Sequence, residues 1–142
     1  MSSDVKITVS QDEQGRQRAS SGSSWEPIIG YSRAIRVGSM ISVSGTLGTE
    51  ADGSLASSPG EQTRRALEII VAGVEALGGT AADIVRTRIF VTDINQWEEI
   101  GRAHGAIFSA IRPATSMVEV SHLIIPDAQV EIEADAIIAE GR

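Results

Sequence analysis

The sequence predicts an α+β domain with two helices on one face of its sheet. Three observations carry this reading. Two stretches place apolar residues at helical spacing behind N-terminal capping patterns. The segments around them are rich in β-branched residues and alternate polar with apolar. The resulting order, strands, helix, strand, helix, strands, is that of an α+β domain.

Residues 1–18 read as a polar N-terminal extension and residues 19–142 as a single domain. In the extension, alternating Val5, Ile7 and Val9 predict a short strand, and Asp12–Gly15 supplies turn chemistry, so a short hairpin is expected. Ala19–Ser24 is serine-rich and reads as a loop. Ala34–Ser44 reads as two strands broken at Gly38-Ser39, with Ile35 and Val37 before the turn and Met40, Ile41 and Val43 after it. Gly45–Ser54 reads as a loop. The first helix opens at Pro59, which has no N–H to lose there; Ser58 caps it and Glu61 completes a capping box. Ala66, Ile69, Ile70, Gly73, Val74 and Leu77 form its apolar stripe, and Gly78-Gly79 ends it.

Thr80–Asp83 repeats the capping pattern over a single turn, and Ile84–Val91 reads as a strand. Asp93 caps the second helix, whose inner face collects Trp97, Ile100, His104, Ile107 and Phe108. Thr115–Val120 and Ala128–Ile138 close the chain as strands joined through Pro126-Asp127. In the last strand Val130, Ile132, Ala134 and Ala136 face one way, and Gln129, Glu131, Glu133 and Asp135 the other.

The 142 residues fit one domain, and 42% hydrophobic with 22% charged residues is an ordinary balance for a soluble globular protein. The absence of cysteine excludes disulfides, thiolate catalysis and Cys-ligated metal, and fits a reducing cytoplasm. No apolar run approaches the roughly 20 residues a membrane span needs, and Met1–Gln11 lacks the basic start and apolar stretch of a signal peptide. A net charge of -7 repels nucleic-acid phosphates, and the arginines at 33 and 36, 64 and 65, and 86 and 88 form no basic block.

Glu131, Glu133 and Asp135 share one strand face, where side chains two apart lie roughly 6–7 Å from each other. Like charges at that range raise at least one pKa, and burial raises it further, so a carboxylate there can position or activate water. Glu119 is a further candidate if its strand lies alongside. The plainer alternative, favoured by spacing alone, is a solvated polar face paired with Arg86 or Arg88. His104 reads as a histidine at the edge of the core. Ser44, before Gly45 at a strand end, reads as a turn serine: no Gly-x-Ser-x-Gly elbow surrounds it. Two histidines with scattered carboxylates make no metal motif, and no phosphate loop is present, so neither metal nor cofactor is expected.

The run Arg112–Glu133, RPATSMVEVSHLIIPDAQVEIE, resembles the RidA/YjgF family, also labelled endoribonuclease L-PSP, through Pro113, Ala114, Ser116, Val118, Glu119, Val120, Glu131, Ile132 and Glu133. Tyr31–Gly45 resembles the family's strand pair, including Tyr31, Gly38, Ser44 and Gly45, and ADIVRTRIFVTDINQW resembles its central strand and helix start. The resemblance covers roughly residues 22–138. It implies a chorismate-mutase-like mixed sheet with two helices on one face, a cytoplasmic homotrimer, and clefts for small carboxylates at the subunit interfaces. It also implies hydrolysis of reactive enamines and imines to keto acids and ammonia. Carried onto this chain, it makes Glu131 the water-positioning glutamate and puts Tyr31 and Ser44 in the cleft. Thr115 stands where active members have the arginine that grips the substrate carboxylate, Met117 where they often have cysteine, and Gly101 where they have an asparagine. Threonine supplies no permanent, bidentate charge. If the cleft holds an anion, Arg112, Arg33, Arg102 and His104 are the candidate cations.

Two functions follow as expectations. One is an imine or enamine deaminase with a non-standard substrate. The alternative is a trimer that binds a metabolite or partner without chemistry. A ribonuclease, which one family label suggests, fits the charge least.

Overall fold

The computed structural model describes residues 4–139. Seven strands form one sheet: β1 (Thr8–Gln11), β2 (Gln17–Ser20), β3 (Ala34–Val37), β4 (Met40–Leu47), β5 (Ile84–Val91), β6 (Ala114–Glu119) and β7 (Val130–Ile137). Their order is β1-β2-β3-β4-β7-β5-β6. The last strand thus inserts at the centre, antiparallel to both β4 and β5, while β6 runs parallel to β5 at one edge. Helix α1 (Trp25–Ile29) is short; α2 (Pro59–Ala76) and α3 (Trp97–Phe108) are the two main helices. Helix α2 packs on β4 and β7, and α3 packs beside α2.

The main helices begin as their sequences dictate. Ser58 accepts a hydrogen bond from the Glu61 amide at 3.1 Å, and Pro59 opens α2. Gly78, at φ 95, ends it. Asp93 accepts from the Asn95 amide at 3.0 Å, capping a single turn that leads into α3. Ile41, Leu67, Ile70, Val74, Ile84, Ile89, Ile100 and Ile132 are fully buried between sheet and helices. Each such side chain contributes about 1.5–3 kcal/mol through removal from water.

Strict alternation in β7 sends Val130, Ile132, Ala134 and Ala136 into this core and leaves Glu131, Glu133 and Asp135 half-buried on the opposite face. Gln62, also buried, ties three segments together. Its Nε2 donates to the Ala56 carbonyl at 3.2 Å, and its Oε1 accepts from the Gln129 amide at 2.9 Å.

Three local expectations need revision. The first strand is Thr8–Gln11 rather than Val5–Val9, because its register is set by pairing across the turn, Thr8 opposite Ser20 and Gln11 opposite Gln17. Every residue of β1 is exposed, so apolar alternation had no face to report. Ala19–Ser24 is not all loop: Ala19 and Ser20 belong to β2, and α1 follows. Helix α1 escaped notice because Ile28 and Ile29 point to solvent while its buried residue is Glu26, whose carboxylate accepts from Ser20 Oγ and Ser21 Oγ at 2.8 and 2.6 Å. Finally, β4 does not stop at Ser44. It continues to Leu47 through an irregularity in its register with β7 between Val43 and Thr46.

Candidate functional site

The irregularity in β4 builds the first half of the site. Ser44 and Gly45 fall inside it, opposite Glu133 on β7, and the side chain of Glu131, paired with Leu47, reaches back to Gly45. A Cβ on Gly45 would lie 2.6 Å from Glu131 Oε2 and 2.9 Å from its Cδ, so only glycine lets the carboxylate rest on the strand. Arg33, just before β3, donates through Nη2 to the Gly45 carbonyl, and its guanidinium lies 5.7 Å from the Tyr31 ring centroid. Its Nε is buried without a hydrogen-bond partner among the described residues. Ser44 Oγ donates to the Ser32 carbonyl at 2.6 Å, which fixes the entry into β3.

The three outward carboxylates of β7 are not equivalent. Arg88 Nη1 lies 3.3 Å from Glu133 Oε1 and 3.2 Å from Asp135 Oδ2, and Ser42 Oγ donates to Asp135 Oδ1 at 3.0 Å. Among the described residues no ion pair holds Glu131. Burial raises its carboxyl above the ordinary value; the nearby Arg33 charge opposes that rise and Glu133 adds to it. Arg33 itself is lowered, chiefly by burial. An open cleft of about 810 Å³ runs along this face, lined among others by Tyr31, Ser32, Ser42, Ser44, Arg88 and Glu133.

Thr115 lies elsewhere. On β6 it sits opposite Thr87 of β5, on the face that carries the helices. Thr115 Oγ1 is 2.8 Å from Thr87 Oγ1, and Thr87 Oγ1 is 2.9 Å from His104 Nε2. Thr87 is fully buried. The His104 ring packs 4.6 Å from that of Phe108, and burial lowers its pKa. A smaller cleft of about 260 Å³ opens here, lined by His104, Phe108, Ser109, Arg112, Pro113 and Thr115.

The structure therefore brings Glu131, Tyr31 and Ser44 to one face of the sheet and Thr115 and His104 to the other. Met117 shares the helix face with Thr115 and packs against the core. Arg102 does not reach either cleft: it is exposed on α3 and its Nη2 bonds Glu98 Oε2 at 2.7 Å. Nor does Glu119 join the carboxylates of β7; its Oε1 accepts from the Ile94 amide at 3.0 Å. Thr87 was missed by sequence reasoning. Its signal lay in the alternation of β5, where Thr87 takes an inward position with Ile89 and Val91. Among the described residues no group of three or more His, Asp or Glu is placed to hold a metal, and no helix is long and apolar enough to cross a membrane.

A family model described as Endoribonuclease L-PSP matches residues 22–138. The chain is similar to a 2-iminobutanoate/2-iminopropanoate deaminase of Salmonella typhimurium, 37% identical over 111 residues that cover 75% of this chain and 86% of the relative. The crystal structure of a Mycobacterium tuberculosis member of the YjgF/YER057c/UK114 family superposes with a TM-score of 0.82 at 48% identity, covering 87% of this chain and all (100%) of that one. Escherichia coli TdcF with bound serine superposes with a TM-score of 0.72 at 29% identity, covering 77% and 88%.

Proposed function

Because this chain belongs to the endoribonuclease L-PSP family, known also as YjgF or RidA, we propose that it hydrolyses a small imine or enamine with water positioned by Glu131. The observation that carries this reading is the state of Glu131. Its carboxylate is half-buried, seated on a glycine, without an ion pair among the described residues, and raised in pKa. Such a group is a better base near neutral pH than a solvated carboxylate. Water attacks the imine carbon as its proton passes to the carboxylate. The carboxyl returns that proton to the nitrogen to give a carbinolamine, whose C–N bond breaks as its hydroxyl proton passes to the nitrogen, and a carbonyl compound and ammonia leave. Tyr31 and Ser44 line the cleft beside it.

Thr115 sets the substrate apart from a simple 2-imino acid. A neutral hydroxyl offers a carboxylate one hydrogen bond where a guanidinium offers two and a charge. The substrate class we favour is therefore less dependent on a carboxylate. Thr115 also supports a second reading, a binding protein without turnover, since losing a charged partner typically costs about 2–5 kcal/mol.

We further propose that the protein is a homotrimer. The sheet face away from the helices exposes Met40, Val118 and Ile137, and association covers such apolar residues.

The test generates imines from a panel of amino acids with an amino acid oxidase and follows keto acid release. Acceleration by the wild type and its loss in Glu131→Ala support the hydrolase. Activity only in Thr115→Arg supports the binding protein on an intact scaffold. Silence of the wild type and both variants, with the proteins folded, refutes the hydrolase.

A further inference from the structure

We propose that His104, acting through Thr87, decides whether Thr115 offers a ligand a hydrogen-bond donor or an acceptor. His104 is then a positioning residue that determines specificity without touching the reacting atoms. The proposal rests on Thr115 lining a ligand cleft, as in the reading above, but not on turnover.

Thr87 Oγ1 is buried and has two partners, His104 Nε2 and Thr115 Oγ1. A hydroxyl has one proton to give. When His104 Nε2 carries a lone pair, Thr87 must donate to it. Thr87 is then left to accept, so Thr115 donates inward and shows the cleft only lone pairs. When Nε2 carries a proton, every bond in the chain reverses. His104 donates to Thr87, Thr87 donates to Thr115, and the Thr115 proton is released. It then reaches the Pro113 carbonyl at 3.2 Å, or an acceptor on a ligand.

Thr87, at the centre of the relay, is fully buried and has no water to absorb a mismatch, so the direction of its bond to His104 fixes the direction of its bond to Thr115. Neutral His104 has two tautomers and therefore permits both directions. Protonated His104 permits only one. The site accordingly accepts either an N–H group or a carbonyl oxygen above the His104 midpoint, and only an acceptor below it. That pair of groups is what an imine presents before hydrolysis and a ketone after it.

The charges around His104 leave this logic intact. Arg112 lines the same cleft and favours an anionic acceptor. It follows the turn after α3 with φ 58, its amide donating to the Phe108 carbonyl at 2.8 Å. Glycine or asparagine is the usual residue in that conformation, so an arginine costs about 1 kcal/mol there. On α3, Glu98 is turned to Arg102, and Glu99 accepts from the Gly60 amide. On α2, Glu68 is held by Arg64 and Arg65. Arg86 and Arg88 of β5 lie on the far face of the sheet, in register with Asp135 and Glu133.

The test is a nuclear magnetic resonance titration of the His104 ring in the full-length protein, with and without pyruvate, which presents only acceptors at neutral pH. Pyruvate should bind at least about threefold tighter below the His104 midpoint than above it and raise that midpoint to match, as linkage requires. The Nε2 nitrogen should report a protonated donor in the complex. Thr87→Val should remove the coupling and Thr87→Ser retain it. Equal coupling in Thr87→Val overturns the proposal, because charge alone would then explain it. So does a wild type that binds no pyruvate at any pH, or whose Nε2 stays unprotonated in the complex. If Thr87→Val fails to fold, the nitrogen signal of the wild type decides. Coupling without imine turnover counts against the hydrolase reading alone.

Discussion

Gly45→Ala isolates the position of the Glu131 carboxylate from its presence. The added methyl would lie 2.6 Å from Oε2, 2.9 Å from Cδ and 3.3 Å from Cγ. Comfortable non-bonded separations are about 3.5 Å, so the carboxylate must retreat by roughly 1 Å. A misplacement of that size costs about 100-fold in rate when the displaced group handles the reacting water. Stability should barely change. The clash falls on the end of a side chain that can turn away, and Gly45 does not hold a left-handed φ. Replacing glycine also removes freedom from the unfolded chain, worth about 0.4–1 kcal/mol. The assay pairs keto acid release from enzymatically generated imines with thermal unfolding of the same preparation. We expect a rate near that of Glu131→Ala and a Tm close to wild type. A Gly45→Ala protein that keeps a rate within about threefold of wild type, while Glu131→Ala is inactive, would mean that the seat on Gly45 does not set the position of the carboxylate.

Three further outcomes are expected. Glu131→Gln should raise Tm at pH 7. Burial raises the folded pKa of Glu131, so its charge penalises the native state above that pKa. The gain should shrink as pH falls through the folded pKa and vanish below the ordinary carboxylate value, a trend that unfolding curves across pH check. Gly48→Ala should cost roughly 3 kcal/mol or more, because its Cβ would meet backbone atoms of Gln62 at 2.3 and 2.5 Å and the backbone of α2 cannot yield cheaply. Urea unfolding reads it directly. Thr87→Val should cost about 1–3 kcal/mol by leaving His104 Nε2 with no partner on its buried side, measurable the same way.

The elements with strong local grammar were legible in the sequence. Helix α2 opens at Pro59 behind Ser58, and β5 spans Ile84–Val91, both where spacing and capping put them. Helix α1 was not legible because its buried residue is a glutamate held by serines, a tertiary arrangement that leaves no apolar stripe. The site was legible one side chain at a time. Alternation placed Glu131 on a polar face, yet its distinction from Glu133 and Asp135 comes from Arg88, which pairs with the other two. That choice depends on cross-strand register, which residue spacing does not encode. The same holds for Thr87, an unremarkable strand residue until β6 and α3 close over it.

Glu131 and Thr115 face opposite sides of the sheet, with β5 and β6 between β7 and the edge. Adjacent strands are about 4.8 Å apart and packed layers about 10 Å, so a small ligand cannot reach both within one chain. A ligand that touches both must borrow one from another copy. Two variants that are each inactive, one altered at Glu131 and one at Thr115, should then regain sites when mixed and allowed to exchange subunits. Dilution should silence the wild type as the copies separate, making protein concentration itself a control on activity.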